Sequence, residues 1–539
     1  MKRRIYTLLM ITIGAFTLGS CDKDFEEINT NQDAPDQFLP HAVFNGANKR
    51  LMDNTRDAWA SGRLTLPWMQ YSAQRNYTEE DRFQYRASTG DGLWYDLYLT
   101  AKDYKTIIDL NTSDATKFEV AVYGANENQI AASRIMLAVV FSQLVETFGD
   151  VPYYSYGNND AEFQALSIDE NLAPVFVSQE KIYTDILKEL KEAVAMISGS
   201  DDDAVFVSGD AIFGSVGKMK RFANSLRLRI ANRVKNVSNL SSLAQTHITE
   251  AIASGVMTSN DDTVGLTYED NYVYPSPMFA AFFVDNRTDF SISNTFVQLL
   301  KGERGNFGAD PRLQKYAAPK GLSIASVRDA NYSESTNLAD YVGMPYGIPN
   351  SITGSQRTVR PSFFSSNVLK KNYTEVIMEY AEVCFLLSEV NGWDNTHYQN
   401  GVRASMERWG VADAAITTFV SALPTASEAN VITQKYIALY MQPHEAWTEY
   451  RRTGYPNTLL KVGETADLIA PYVYQDASGN NVTVTTYTFE SLISGVTDIP
   501  ARLLYSNRYK QLNQANYQKA LQNMGMSEDS MTGKLIWAK

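Results

Sequence analysis

Two stretches of the 539-residue chain set aromatic rings among side chains that form hydrogen bonds. In Trp68 to Tyr85, the residues Gln70, Tyr71, Gln74, Asn76, Tyr77, Asp81, Arg82 and Phe83 fall within one polar segment. In the second, Asn271-Tyr272-Val273-Tyr274 leads to Asp285, Arg287 and Asp289, and Tyr341 to Asn350, with Tyr346, offers a third wall. A sugar ring has apolar faces and a rim of hydroxyls, so exposed rings beside Asn, Asp, Gln and Arg suit its capture. Tyr71, Asn76, Tyr77, Phe83, Tyr272, Tyr274, Arg287, Tyr341 and Tyr346 are therefore the candidate ligand-binding residues. The same amides and guanidinium groups would also grip a peptide backbone, and a Tyr at a loop end can instead plug the core beneath it. The sequence leaves these readings open.

Catalytic groupings are sparser. The four histidines, His41, His247, His397 and His444, lie far apart, with no His-Glu-x-x-His or Cys-x-x-Cys spacing to hold a metal. Gly214-Ser215-Val216-Gly217-Lys218 lacks the earlier glycine of a phosphate loop and continues into Met219, so it reads as a helix start. There is no Gly-x-Ser-x-Gly elbow. The two carboxylates of a glycoside hydrolase can come from distant positions, which keeps that chemistry as an alternative. Asp201-Asp202-Asp203 and Asn260-Asp261-Asp262 could offer oxygens to a structural Ca²⁺, but without the spacing of an EF-hand, and solvated turn acids are the plainer reading. No other cofactor is expected.

Cys21 carries a different chemistry. Met1-Lys2-Arg3-Arg4 and the uncharged run Ile5 to Leu18 read as a signal peptide, residues 1–20, too short for a permanent membrane span. Gly19-Ser20 before Cys21 resemble the bacterial lipobox, whose cysteine is acylated and begins the mature chain; two acyl chains give stable anchoring. Residues 21–40, with Asp22, Asp24, Glu26, Glu27 and Pro35, read as an acidic, extended tether. Loss of the leader removes three of the 48 basic residues and no acid, leaving 45 against 61 and a net charge of −16. Such a surface repels phosphate backbones and argues against a nucleic-acid partner. Cys384, in Val383-Cys384-Phe385-Leu386-Leu387, reads as a buried, inert thiol.

Helices must position these groups. Ile130, Ile135, Leu137, Ala138, Phe141, Leu144, Val145 and Phe148 repeat at helical spacing from Glu127 until Gly149, with Pro152 beyond. Ser178 can cap a helix with its stripe at Ile182, Ile186, Leu190, Val194 and Ile197. A helix over about Lys218 to Lys235 buries Met219, Phe222, Leu226 and Ile230, and turns Arg221, Arg227, Arg229 and Arg233 outward or toward acidic neighbours. From Asn260 to Lys371 no helical period is sustained, apart from Thr295 to Leu300. Regular helix is expected again from Thr374, through Val376, Ile377, Tyr380, Val383, Cys384, Leu387 and Val390. Ala429 to Met441 is helical and stops before Pro443, which opens the helix containing Trp447 and Arg451. Val482 to Tyr487 reads as part of a hairpin, and Trp94 and Tyr98 belong to the core. The chain is thus mostly α, with a tetratricopeptide-like scaffold of helix pairs over about 41–258 and 372–455. An irregular, loop-rich insertion over about 259–371 would bear the ligand, and a loop-rich part with minor β hairpins follows over 456–539.

Five motifs carry a family resemblance: Phe148-Gly149-Asp150-Val151-Pro152-Tyr153-Tyr154, Phe222-Ala223-Asn224-Ser225-Leu226-Arg227-Leu228-Arg229, Glu379-Tyr380-Ala381-Glu382-Val383, Gln434-Lys435-Tyr436-Ile437-Ala438-Leu439, and Glu445-Ala446-Trp447 followed by Tyr450-Arg451-Arg452-Thr453-Gly454-Tyr455-Pro456. Together they resemble SusD/RagB-like lipoproteins, and the chain is most similar to the branch whose mature start reads Ile28-Asn29-Thr30-Asn31. The resemblance implies a non-catalytic, surface-exposed lipoprotein of the outer membrane, anchored through Cys21, with four helix pairs and an irregular ligand-bearing region. Its acidic tether is similar to the export signal of surface lipoproteins in Bacteroidota. The resemblance further implies a partner, a SusC-like TonB-dependent β-barrel transporter that the lipoprotein covers as a lid. The expected function is capture of an oligomeric nutrient, an oligosaccharide first, with a peptide-binding protein, a surface glycoside hydrolase or a purely structural lid as alternatives. Asn224, Trp447, Arg451 and Arg452 are expected to determine the fold and not the ligand.

Overall fold

In the computed structural model, residues 39–167 and 170–539 are described. Cys21, the leader and almost all of the tether lie outside them. Helices α1 (Pro40–Thr55), α2 (Ala87–Thr112), α3 (Asn126–Phe148), α4 (Gln179–Met196), α5 (Val216–Val234) and α6 (Ser241–Ala253) follow one another, each packed on the next. Helix α3 realises the apolar spacing read from the sequence. It is long and apolar enough to cross a membrane, yet its whole apolar window is buried, flanked by α2 and α4, so it is the core helix of the scaffold. It stops at Gly149, whose φ of 91° an L side chain rarely adopts and where a Cβ would collide with the Met524 sulfur. Ser215 starts α5 by accepting the Lys218 N–H.

Three small antiparallel sheets and short helices tie the rest to this array. Strand β1 (Ser72–Gln74) precedes α2; β2 (Val264–Thr267), α7 (Pro277–Phe283), β3 (Phe290–Ile292), α8 (Asn294–Lys301) and β4 (Thr374–Met378) follow α6. Between Asn260 and Lys371 no helix exceeds eight residues. Helices α9 (Tyr380–Val390), α10 (Asn395–Arg408), α11 (Glu428–Ala438) and α12 (Pro443–Thr453) then complete the scaffold. The hairpin of β5 (Thr465–Gln475) and β6 (Asn481–Thr488) lies where strand-like residues were expected. Helix α12 has Pro443 in its first turn and ends at Gly454 with φ 78°.

The helix expected from Thr374 is corrected: residues 374–378 are β4, paired with β2 so that Val264 faces Met378 and Thr267 faces Thr374. Val376, Ile377 and Met378 are buried, and a strand covered on both faces is a continuous apolar run that periodicity cannot separate from a buried helix. Helical spacing holds only from Tyr380.

The arginines of α5 turn inward. Arg229 donates from Nε to Glu382 on α9 at 2.7 Å, and Arg233 pairs with Glu146 on α3 and Glu445 on α12. Arg452 holds Glu389 through two N–H groups at 2.8 Å and also Glu449, which takes Lys435 of α11 at 3.0 Å. All these groups are buried, so a single ionic lattice locks α3, α5, α9, α11 and α12 in register. Asn224, Trp447, Arg451 and Arg452 are likewise buried, as fold determinants should be.

Glu375 on β4 is buried, neither of its oxygens has a hydrogen-bond partner among the described residues, and Arg56 is 4.0 Å away. Burial pushes its pKa up to about 8 against the pull of Arg56. The folded chain therefore keeps a proton that the unfolded chain releases near 4.5. This contribution is complete below that value and is lost as pH rises through about 8. Stability should accordingly fall more steeply with pH in the wild type than in Glu375→Gln, the difference approaching about 1.4 kcal/mol per pH unit. Denaturation midpoints measured across this range check it, and parallel curves would contradict it.

Candidate functional site

After α1 the chain turns on Asp57, whose carboxylate accepts the N–H groups of Trp59 at 3.0 Å and Ala60 at 2.7 Å. Burial raises the Asp57 pKa to about 6, against those hydrogen bonds. A π-helical turn, Ser61–Thr65, comes next, a backbone form frequent at functional sites. Gly62 in this turn lets β3 approach, since a Cβ would lie 3.1 Å from the Phe290 ring. Arg63 points inward, bonded to Glu80 at 3.4 Å and Asp289 at 3.2 Å, so its charge is matched. Above it Trp59 is half-buried, with the guanidinium carbons of Arg63, Arg86 and Arg287 at 5.0, 5.3 and 5.3 Å from its ring centre.

Pairing of β1 with β3 joins the two stretches marked in the sequence. Ser72 faces Ile292 and Gln74 faces Phe290, which sets Asn76 and Tyr77 beside the end of the Arg287 loop. Asn76 donates to Asp289 at 3.3 Å and accepts from Arg357 at 2.6 Å. The Tyr77 ring is 54% exposed, with the Arg63 guanidinium 5.7 Å from its centre. Its φ is 57°, and Asn286, next to Arg287, has φ 55°. An exposed tyrosine held in the left-handed region is strained, and such residues concentrate at binding sites. Tyr77→Gly should therefore be more stable than Tyr77→Ala by about 1 kcal/mol. Urea denaturation of the two variants checks this, and equal stabilities would show that the backbone is relaxed there.

Tyr272 and Tyr274 form a second exposed patch, at the opposite end of α7 from Arg287. Asn271 accepts the N–H groups of Val273 and Tyr274 at 2.8 and 2.9 Å, and Lys371 lies 5.0 Å from the Tyr272 ring centre. Both rings stand more than half exposed.

Four of the aromatic assignments are corrected. Tyr71 is fully buried, stacked at 4.5 Å on Tyr436 and donating its hydroxyl to that residue's carbonyl. Phe83 and Tyr346 are buried and both pack against Phe489, with ring centres at 5.7 and 5.1 Å. Tyr341 is buried and its hydroxyl bonds the Ser335 backbone. These rings pin loops to the core; Tyr71, Phe83 and Tyr341 present no face to a ligand, and Tyr346, itself buried, borders a polar cavity of about 340 Å³ with Gln298, Arg304 and Asp467, which Tyr77 does not line. Asn76, Tyr77, Arg287, Tyr272 and Tyr274 remain accessible. Trp59, Arg63, Arg75, Arg86 and Arg357 escaped the sequence reading. The dense run Arg56-Asp57-Ala58-Trp59-Ala60-Ser61-Gly62-Arg63 was the available signal.

Among the described residues no three His, Cys, Asp or Glu side chains gather as a metal site. Asp203 accepts the Ser200 N–H at 2.7 Å, and Asp262 takes Arg221 at 2.7 Å. Burial raises the Cys384 thiol to about 11, which keeps it unreactive at neutral pH.

Residues 31–521 match a family model for SusD-like proteins, described as starch-binding and associating with the outer membrane. No curated protein matches the sequence. Among solved structures, a chitin-binding protein is 23% identical with a TM-score of 0.69, covering 93% of this chain and 99% of its own. A chitin-binding SusD homolog from Flavobacterium johnsoniae is 22% identical with a TM-score of 0.65, covering 92% and 97%. A SusD homolog from Bacteroides uniformis is 20% identical with a TM-score of 0.68, covering 94% and 100%. At these identities the likeness is one of fold.

Proposed function

We propose that this chain, which belongs to the SusD-like family described as starch-binding and associating with the outer membrane, captures an oligosaccharide at the cell surface. It then passes the sugar, chemically unchanged, to a SusC-like TonB-dependent β-barrel transporter. The observation that carries the reading is Tyr77, an exposed ring in a strained conformation next to Asn76, whose amide oxygen Arg357 bonds, and 5.7 Å from the Arg63 guanidinium. A sugar face would lie on this ring while its hydroxyls bond to the flanking groups. Tyr272 and Tyr274 would hold a further unit of a longer chain. Acylation of Cys21 would keep the body at the outer membrane, with the acidic tether as its leash. The chitin-binding description of two structural relatives lends support to the choice of sugar over peptide.

Calorimetric titration of the protein lacking residues 1–21 with chito- and malto-oligosaccharides and with peptides of similar length tests the reading. Saturable binding of an oligosaccharide with no release of shorter products is expected. Sustained turnover would replace it with the hydrolase alternative, and binding of peptides alone would replace the ligand.

A further inference from the structure

The basic side chains around Trp59 go beyond what a neutral sugar needs. The mature chain is expected to carry a net charge of −16, and most of its cations are matched by an acid. Arg86 and Arg357 are exposed and form no salt bridge with a described residue, and the same holds for half-buried Arg75. Arg287, its side chain 42% exposed, reaches only Asp289, at 4.0 Å. That carboxylate is already taken by Arg63 and Asn76. Asp57, the other acid at the tryptophan, points at the backbone N–H groups of Trp59 and Ala60. Glu80 is used by Arg63, while Glu79 accepts from the neutral amide of Asn350 at 2.6 Å and keeps its charge.

These cations are also held in place. Arg86 and Arg287 each lie 5.3 Å from the centre of the same indole, and hence within twice that distance of each other. The aromatic face limits their motion by cation–π attraction. Arg75 lies 4.4 Å from the Phe363 ring centre and bonds to Ser291 at 3.3 Å, while Arg357 is tied to Asn76. Burial, and then the charge of Arg357 nearby, lowers the Arg75 pKa to about 10. Guanidinium groups set this close together on an acidic protein, with Arg75, Arg86 and Arg357 free of any carboxylate partner among the described residues, repel one another, and an arriving anion relieves that repulsion. Guanidinium also presents parallel N–H donors that fit a carboxylate or sulfate in two-point contact.

From this geometry we propose that the site selects anionic glycans, with Arg86 and Arg287 holding a carboxylate or sulfate group of the sugar chain at the edge of Trp59 while the neighbouring sugar unit lies on Tyr77. Arg75 and Arg357 add positive potential on the Asn76 side. The proposal rests on the oligosaccharide reading of the same site and names its substrate class.

The test is calorimetric titration of the protein lacking residues 1–21 with three tetrasaccharides: tetragalacturonate, a chondroitin sulfate fragment and neutral chitotetraose. Either acidic probe should bind about 10-fold or more tightly than chitotetraose at low ionic strength, and added salt should shrink that margin. Chondroitin sulfate carries glucuronate carboxylates beside its sulfates, so the same fragment with its sulfates removed, run as a control, separates a carboxylate from a sulfate preference. Arg86→Gln and Arg287→Gln should each weaken the preferred acidic probe about 10-fold and chitotetraose less than about 3-fold. Lys191→Gln, removing a surface cation paired with Glu250 at 2.9 Å, should leave all three unchanged. Circular dichroism verifies that each variant folds. Chitotetraose binding as tightly as both acidic probes, with no selective loss in the arginine variants, overturns the anionic preference and leaves the oligosaccharide reading standing. Failure of every probe, and of the wider oligosaccharide panel, overturns both.

Discussion

Arg233→Ala is expected to cost the fold about 3–5 kcal/mol, because it strands carboxylates where water cannot reach them. Arg233 is 2% exposed and pairs with Glu146 of α3 and Glu445 of α12. Glu445 keeps Arg229 at 3.8 Å, but Glu146 loses its main partner. His444, the nearest imidazole, is buried among arginines and held neutral, its pKa far below the usual value chiefly through burial, so it cannot take over. Removing both members of a buried pair is milder than removing one, so Arg233→Met combined with Glu146→Leu should lose less stability than Arg233→Ala alone. Denaturant unfolding of the three proteins measures this. An unchanged midpoint in Arg233→Ala would show that the lattice contributes nothing to cohesion.

Trp447→Ala is the second large loss, about 3–5 kcal/mol. The ring is fully buried, edge-on to Trp68 with centres 5.5 Å apart, and its N–H donates to the Pro500 carbonyl at 2.8 Å. Arg451 lies 3.5 Å over the ring and donates to the carbonyls of Glu146 and Ala501 at 2.7 and 2.8 Å. Truncation would thus open a cavity and loosen the arginine that fastens the C-terminal segment to α3 and α12. Trp447→Phe, which keeps a ring under Arg451 and loses the N–H, should give back more than half of the loss. The same unfolding measurement decides, and equal losses in the two variants would remove the role assigned to the stack.

The scaffold was legible where local spacing and local caps agree. Helix α3 repeats its apolar residues over six turns and ends on a glycine, and α12 announces itself with Pro443 and closes on Gly454. Strand β4 was misread because its partner, β2, lies more than a hundred residues earlier and nothing in Thr374 to Met378 records that cover. The site was half legible for the same reason. Asn76, Tyr77 and Arg287 stood out by residue type, but their meeting depends on a hydrogen bond across 213 residues of chain. Tyr71, Phe83 and Tyr346 look like Tyr77 in sequence. What distinguishes them is burial against Tyr436 and Phe489, supplied from far away in the chain. Trp59 went unnoticed because it sits just beyond α1 and gains its meaning from Arg86 and Arg287, again through tertiary contact.

The most direct measurement is a paired calorimetric titration of wild type and Tyr77→Ala with the oligosaccharide that binds most tightly. Tyr77 is exposed, so the substitution leaves the core intact and the melting temperature should hardly move. A sugar resting on this ring requires about a 10-fold loss of affinity in the variant. Identical affinity in the two folded proteins would contradict the placement of the binding site at Tyr77.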